Sequence, residues 1–281
     1  MKIANKHFLS TSSIISIIIL ISIICITVFA PALAPYDPLE INMTNRLAAP
    51  SSDHFLGTDT LGRDVFSRVL YGGRASIVLA LIATIATMVI GLAVGTLAGY
   101  FGGWIDDLIH AITNMFQGLP GMSFMLAIAG VLGPSINSLL IAIIITSWAD
   151  FSRIVRGEVL KIREEPYIEG IRALGGCHSY VIFAYIIPNM IGPLVVLFTV
   201  RIGRVVLAIA ALSFLGLGLQ PPIPDWGVMV NDARPHFRSN PQLIIAPGLC
   251  ILFLSVSINL LGDSLRDFFD AKMDSNVKQF I

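Results

Sequence analysis

The sequence predicts an all-α, polytopic membrane protein with six transmembrane helices, on the basis of three observations. The 281 residues are 55% hydrophobic and 13% charged, with a mean hydropathy of +0.81, whereas a soluble domain usually carries about 25% charged residues. Several apolar stretches approach or exceed the roughly 20 residues that a helix needs to cross the hydrocarbon core. The basic residues are, in addition, distributed unevenly between the loops.

The net charge and the cysteines exclude other broad classes. Eighteen basic and eighteen acidic residues cancel, so no overall field attracts nucleic acid. Cys25, Cys177 and Cys250 are far apart, and no CxxC or His-rich spacing accompanies them. We therefore expect no disulfide framework, no zinc or other metal site and no cofactor. The protein is expected to lie in a lipid bilayer and to bind no nucleic acid.

Six apolar stretches are expected to cross the bilayer as helices, because lipid offers the backbone no hydrogen-bond partners. They cover residues 13–33, 77–99, 108–132, 135–148, about 186–207 and 244–261. The first could instead be a cleaved signal peptide, but its apolar run exceeds the usual ~7–15 residues, which favours a retained anchor. The fourth is short, and its pattern can continue to about residue 160 as a helix that emerges into water.

Two spans carry features that interrupt the apolar pattern. Gly91, Gly95 and Gly99 lie four residues apart on one face of the second span. Such a stripe lets another helix approach closely, although glycines are also simply tolerated in membrane helices. The third span is broken by polar Asn114 and Gln117 and, three residues later, by a Pro-Gly pair.

The distribution of Lys and Arg predicts the orientation, because cytoplasmic loops carry an excess of both. Six spans place the two termini on the same side. Ten basic residues lie on that side and six on the other, while Arg201 and Arg204 fall within the fifth span. Both termini are therefore expected in the cytoplasm.

Two hydrophilic segments are predicted on the external side. Residues 35–74 are rich in Asp, Gly and Pro at spacings that suit turns and a helix cap. A calcium loop is an alternative here, but alternating carboxylates are too few and the terminal Glu is missing. Residues 220–241 form the second external segment and are Pro-rich.

The remaining hydrophilic segment, residues 153–180, is predicted to be cytoplasmic and helical, because its charges recur at helical spacing. Acidic residues followed by Pro166 are typical of a helix start, and Gly175 with Gly176 is typical of a stop. A short amphipathic helix across the cytoplasmic mouth suits docking on a partner. A solvated connecting helix explains the same periodicity equally well.

At this helix the sequence resembles a known family. Glu169, followed six residues later by Gly175 and thirteen residues further by Pro188, has the spacing of the EAA loop in membrane subunits of binding-protein-dependent ABC importers. Gly170 and Ile171 stand where that loop usually has two alanines. Gly costs a helix about 1 kcal/mol relative to Ala, so Gly170 makes this helix less stable. The property that this departure affects is the strength of coupling to an ATPase.

Further strings are similar to the dipeptide, oligopeptide and nickel branch of this family. They are GTD at 57–59 with GRD at 62–64, SFLGLG at 213–218 with QPP at 220–222, and NLLGD at 259–263 with LRD at 265–267. The resemblance extends from about residue 34 to residue 267, which is nearly the whole chain.

The resemblance implies a type I ABC importer permease fold and a division of labour between subunits. The implied parts are the N-terminal end and first helix at 1–34, an extracytoplasmic segment at 35–74 and a permease core at 75–281, with the coupling helix at about 163–178. Implied partners are a second homologous permease subunit, two cytoplasmic ATP-binding subunits and an extracytoplasmic solute-binding protein, at the bacterial cytoplasmic (inner) membrane. The chain has no Gly-rich Lys-Ser/Thr loop for ATP, so it is not expected to be an enzyme.

Three groups of residues are candidates for functional roles. The resemblance implies contact with the ATPase for Glu169, Gly170, Arg172, Ala173, Gly175 and Pro188. Five residues lie on the predicted external segments and are candidates for contact with the solute-binding protein: Asp59, Arg63, Asp64, Trp226 and Asp232. Roles as helix caps or interface anchors explain the same residues equally well. Candidates for the substrate path are the polar residues within the spans, Arg201, Arg204, Asn114 and Gln117.

Arg201 and Arg204 make the fifth span marginal, because each central Arg costs about 2.5–3.5 kcal/mol on insertion. They are expected either near the external end of the span or facing a wet interior. There they would suit a peptide carboxylate or an anionic metal chelate. Alternatively, they snorkel or pair with a carboxylate of the neighbouring subunit.

Two other functional classes are weighed against an importer subunit. A secondary transporter or channel that works without an ATPase would need coupling acids within its spans, whereas Asp106, Asp107, Asp150 and Asp263 only flank them. An intramembrane enzyme would need a nucleophile with a nearby base, and none is evident. The substrate is left open among dipeptides, longer peptides, glutathione-like compounds and nickel or other metal chelates.

Overall fold

The computed structural model describes the backbone of residues 11–277 and the side chains of residues 11–269. Nine helices carry the architecture of this part of the chain. They are α1 (Thr11–Val28), α2 (Val65–Phe101), α3 (Gly103–Gln117), α4 (Gly121–Leu132), α5 (Ile136–Arg163), α6 (Pro166–Ala173), α7 (Ile191–Phe214), α8 (Trp226–Ala233) and α9 (Gln242–Val277).

Short helical segments connect the main helices. They are Ala30–Leu33, Met43–Asn45, His178–Val181, a π-helical turn at Ile182–Ile186, Ile187–Asn189 and Arg234–His236. Within residues 11–277 the chain forms no strand beyond an isolated antiparallel bridge between Thr58 and Asp64. The predicted all-α class is therefore confirmed.

Five helices are long and apolar enough to cross a membrane: α1, α2, α5, α7 and the first 28 residues of α9. Helices α3 and α4 supply a sixth crossing if they form one broken span, since they meet at an angle of 83°. The break follows from the sequence, because Pro120 cannot donate a backbone hydrogen bond and disfavours helical geometry at the residue before it. The predicted interruption of the third span is thus confirmed.

Several helix bounds differ from the predicted spans. Helix α2 begins at Val65, twelve residues before the predicted start, and Asp64 caps it by accepting a hydrogen bond from Ser67 N at 2.8 Å. The charge of Arg68 conceals this start from a hydropathy count, yet the side chain is buried and donates to Pro38 O at 3.1 Å. Helix α7 begins at Ile191 and continues to Phe214, seven residues beyond the predicted end of the fifth span.

The glycine stripe of α2 lies against α5, as predicted. A methyl group at Gly91 would come within 2.7 Å of the Phe151 ring, and one at Gly99 within 2.9 Å of Val159. At Gly95 it would overlap the carbonyl oxygen of Ser152. Only glycine therefore permits this separation of the two helices, and α5 extends to Arg163, close to the predicted end of the emerging helix.

Two apolar clusters organise the interior. The larger one joins α2, α5, α7, α8 and α9, and it includes Leu79, Leu139, Ile209, Trp226 and Leu254. The smaller one lies near the junction of α2, α5 and the segments that follow α6. Its buried members are Tyr100, Phe151, Val155, Val159, Ile168, Val181, Ile186, Met190 and Leu194. Because Ile168 belongs to it, the short helix α6 is packed onto the helical bundle rather than extended away from it.

Candidate functional site

Helix α6 has well-defined ends. Pro166 occupies its first helical position, and Gly175 follows it with φ of +85°. Gly175 N donates to Arg172 O and Gly176 N donates to Ile171 O, both at 3.0 Å. This pair of bonds is the Schellman arrangement, which satisfies the last carbonyl groups of a helix. The predicted start and stop are confirmed.

The inward face of α6 is fixed to the end of α2. Ile168 is fully buried. The Tyr100 hydroxyl lies 2.9 Å from Nδ1 of His178, and the Arg172 guanidinium lies 5.9 Å from the centre of the Tyr100 ring. From α5, Arg163 donates to the carbonyl oxygen of Gly99 at 2.9 Å. Helices α2, α5 and α6 therefore form one packed unit.

The outward face of α6 carries the residues that the EAA-like pattern singles out. All six predicted ATPase-contact positions are exposed: Glu169, Gly170, Arg172, Ala173, Gly175 and Pro188. The first five lie on α6 or in its C-terminal turn, whereas Pro188 lies beyond the π-helical turn. Leu174 was not among the predicted residues, and it is 90% exposed. Its signal in the sequence is an apolar residue directly before the glycine stop.

Among the external candidates, three residues are buried and anchor the segment instead of presenting a surface. Arg63 is 4% exposed, Asp64 is 3% exposed and Trp226 is 3% exposed. Arg63 Nε pairs with Asp59 Oδ2 at 2.7 Å, and Trp226 Nε1 donates to Val69 O at 2.9 Å. Their burial favours the alternative that these three residues are structural caps and anchors, and contact with a delivery protein stays a prediction.

The other two external candidates are partly accessible. Asp59 and Asp232 line a small cavity of about 20 Å³ together with Arg68. Burial raises the pKa of the Asp232 carboxyl, and the nearby Arg63 and Arg68 partly offset that rise. The structure thus places these two acids beside buried guanidinium groups at the base of the external segment.

The polar residues of the spans occupy different surroundings. Arg201 lies near the middle of α7, with ten residues before it and thirteen after it in that helix. Its NH2 donates to Ser147 O at 2.8 Å, and its NH1 lies 3.7 Å from Asp150 Oδ2. Arg204 is exposed. Arg201 therefore lies near the middle of its helix, whereas its position relative to the external surface of the membrane stays a prediction.

Helix α3 carries the other two substrate-path candidates. Asn114 is exposed, whereas both amide atoms of Gln117 are buried and have no hydrogen-bond partner among the described residues. The neighbouring Phe116 ring packs edge-on against Trp148 at 5.3 Å. Residues 147–150 of α5 therefore lie between α7 on one side and the end of α3 on the other.

Comparison with known proteins identifies the family. The family model of the binding-protein-dependent transport system inner membrane component matches residues 91–275. The model of the N-terminal transmembrane domain of oligopeptide transport permease C matches residues 10–50. The chain belongs to this family of inner-membrane permeases. Membership implies ATPase and solute-binding partners and a place in the bacterial inner membrane.

Related proteins cover almost the whole permease. It is 41% identical over 263 residues to a dipeptide transport system permease of Alkalihalophilus pseudofirmus, an alignment that spans 94% of this chain and 86% of the relative. It is 40% identical over 254 residues to a glutathione transport system permease of Pectobacterium atrosepticum, spanning 90% and 84%.

A solved structure supports the fold independently. The crystal structure of an amino acid ABC transporter with histidines superposes with a TM-score of 0.56 and covers 70% of this chain and 92% of that one. At 17% identity the likeness concerns the fold alone. It confirms the predicted permease fold.

Proposed function

We propose that this permease forms half of the translocation pore of an ATP-driven importer for short peptides, of the size of dipeptides or glutathione. The observation that carries the proposal is the exposed, EAA-like face of α6, which begins at Pro166, ends in the Gly175 turn and is packed onto α2 and α5. The substrate class is suggested by the relatives, which are named for dipeptide and glutathione transport. Nickel chelates stay a prediction from the sequence alone.

In this proposal, α6 is the coupling helix that seats in a groove of the ATPase. Glu169 would form the polar contact, and Leu174 would enter an apolar part of the groove, because its 90% exposure otherwise leaves a large apolar side chain in water. Gly175 allows the chain to turn back toward the membrane through its positive φ. Gly170, Arg172 and Ala173 complete the contact surface.

Movement of α6 would then pass into the pore helices. The contact of Arg172 with the Tyr100 ring joins α6 to α2, and the hydrogen bond from Arg163 to Gly99 joins α5 to α2, so the three helices would move together. ATP-driven closure of the ATPase pair can shift the pore between two states only if it binds α6 differently in each. The second permease subunit would supply the other half of the pore, and two ATP-binding subunits would act on the two coupling helices.

The test is reconstitution of the assembled importer in vesicles with loaded solute-binding protein. ATP-dependent uptake of a dipeptide or glutathione is expected from the full assembly, and none from this chain without the ATP-binding subunits. Uphill transport by the chain alone would instead establish a secondary transporter. Uptake of neither ligand, in an assembly that hydrolyses ATP when loaded with another solute, would refute the proposed substrate class.

The coupling role of α6 has its own test within that assay. Glu169→Ala and Leu174→Ala are each expected to lower transport-coupled ATP hydrolysis about tenfold, since a few contact residues carry most of the binding energy of an interface. Both side chains are exposed, so folding and membrane insertion should be unchanged. Val131→Ala on α4 is the control, because Val131 is 88% exposed but lies elsewhere. Wild-type coupling in both α6 variants would show that the ATPase contacts another segment.

A further inference from the structure

Arg201 is a charged side chain within a span, and the described residues pair only part of its guanidinium. It is 12% exposed and lies near the middle of α7. A guanidinium has five N–H donors, yet the structure gives it one hydrogen bond, to Ser147 O at 2.8 Å. Its Nε is buried and has no hydrogen-bond partner among the described residues.

The counter-ion of Arg201 is close but not fully engaged. Asp150 Oδ2 lies 3.7 Å from Arg201 NH1, which is too far for a hydrogen bond but near enough for an ion pair. The Asp150 side chain is 50% exposed, so the described residues do not enclose it beside Arg201. A charged group in a span needs a partner or access to water, and this partner is a weakly held one.

We propose that Arg201 is a binding site for the carboxylate of the transported peptide, and that Asp150 is the resident counter-ion which that carboxylate displaces. The fork of a guanidinium matches a carboxylate in a bidentate geometry, and Arg201 has free donors for it. Dipeptides and glutathione carry carboxylates at neutral pH. This inference rests on the proposed function and narrows it to substrates with a free carboxylate.

Displacement of a resident acid would also make the site reversible. A guanidinium without any counter-ion would hold an anion tightly and slow its release, whereas Asp150 can return as the substrate leaves. Passage through a pore requires binding that is strong enough for entry and weak enough for exit. The exchange of one carboxylate for another provides both without leaving the buried charge unpaired at any stage.

The experiment compares ATP-driven uptake of one dipeptide and of its C-terminal amide by the assembled importer, at saturating loaded binding protein. The measured quantity is the acid-to-amide uptake ratio of each variant divided by the ratio of the wild type, so the preference of the binding protein cancels. Arg201→Gln is expected to lower this quantity about tenfold or more, since removing one partner of a buried, hydrogen-bonded ion pair has effects of that size. Arg201→Lys should lower it as well, because the planar fork is lost.

The controls separate this site from the transport function itself. Arg153→Gln removes an exposed positive charge from α5, three residues from Asp150, and should leave the ratio unchanged. Asp150→Asn removes the acid that returns as the substrate leaves, so release of the acid should slow and the ratio should fall below the wild-type value. An unchanged ratio in Arg201→Gln, with ATP-driven uptake intact, would overturn the carboxylate site and leave the importer standing. Absence of uptake by the wild type would overturn the importer instead.

Discussion

At the scale of single residues, Gly170 and Gly175 of the candidate coupling segment differ in their backbone requirements. Gly175 has φ of +85°, a conformation that costs other residues roughly 1–2 kcal/mol. Gly170 lies within α6 at ordinary helical geometry, and a methyl group there would meet nothing within 4 Å. Replacing each of the two glycines by Ala therefore separates the effect of the left-handed backbone conformation from the effect of losing a glycine.

Gly175→Ala is expected to lower transport-coupled ATP hydrolysis severalfold, because strain at the cap tilts or frays α6. Gly170→Ala should retain or raise it, since Ala favours a helix by about 1 kcal/mol over Gly. Both are measured in the reconstituted assembly, with the amount of inserted permease as the control for folding. Equal effects of the two substitutions would contradict a special role for the left-handed turn.

A buried acid outside the spans predicts a pH dependence of stability. Asp225 is fully buried at the start of α8, where Oδ1 accepts from Val228 N at 3.0 Å and Oδ2 lies 2.7 Å from the Ser76 hydroxyl. Burial raises the pKa of this carboxyl, and the hydrogen bonds from Ser76 and Val228 offset only part of the rise. The folded protein thus holds this proton more tightly than the unfolded chain does, so stability falls as pH rises from the ordinary value of 3.8 through the raised pKa.

Asp225→Asn should remove this loss, because Asn keeps the cap and the contact with Ser76 without a charge. The apparent melting temperature in detergent is the measurement. The melting temperature of the variant should rise relative to that of the wild type as the pH is raised from 3.8 towards neutrality. If the melting temperatures of the variant and the wild type differ by the same amount throughout that range, ionisation of Asp225 costs the folded protein little stability.

At the scale of helices, the sequence was sufficient where one periodic pattern determined one contact. The glycine stripe predicted that another helix approaches α2 closely, and the Pro166 start and Gly175 stop predicted α6. It was insufficient where a contact joins distant segments. Nothing near Arg68 in the sequence indicates that its guanidinium donates a hydrogen bond to the carbonyl oxygen of Pro38. The sequence alone therefore predicts a loop for the first turns of α2.

The same limitation applies to the candidate site. In the sequence, Asp150 only flanks a predicted span. Its ion pair with Arg201 depends on how α5 packs beside α7. The sequence alone predicts a surface position for Trp226, whereas its ring packs against Gly72 and Gly73 of α2. Side-chain partners across helices depend on packing, which a single sequence does not encode locally.

The packing of α2 on α5 gives a stability prediction. Gly95→Ala should destabilise the permease by about 1–3 kcal/mol, because the added methyl group overlaps Ser152 O and the Val155 side chain and the helices must separate. Gly130→Ala on α4 is the matched control, since a methyl group there has no neighbour within 4 Å. The apparent melting temperature should fall only for Gly95→Ala, and an equal fall for both would attribute the effect to the membrane helices in general.

At the scale of the whole molecule, α2 connects the two sides of the permease. Its 37 residues span about 55 Å, well beyond a hydrocarbon core of roughly 30 Å. One end carries the Asp64 cap and the external segment packed on Trp226, and the other end carries the contact between Tyr100 and His178. A single rigid helix therefore joins the external segment to the candidate coupling helix.

That arrangement functions only if the predicted orientation is right, with α6 and both termini in the cytoplasm. Cys177 reports on it, because its thiol is exposed and the Ser179 hydroxyl lowers its pKa, which increases the reactive thiolate. Cys25 and Cys250 lie within α1 and α9, out of reach of a charged reagent in the bilayer.

A membrane-impermeant thiol reagent should therefore label Cys177 in inside-out vesicles and not in intact cells. In a Cys177→Ser background, Asp53→Cys in the exposed external segment should show the reverse pattern. The two sites serve as controls for each other, since each is accessible under the condition that protects the other. Labelling of Cys177 from outside intact cells would invert the topology and place α6 beyond the reach of any cytoplasmic ATPase.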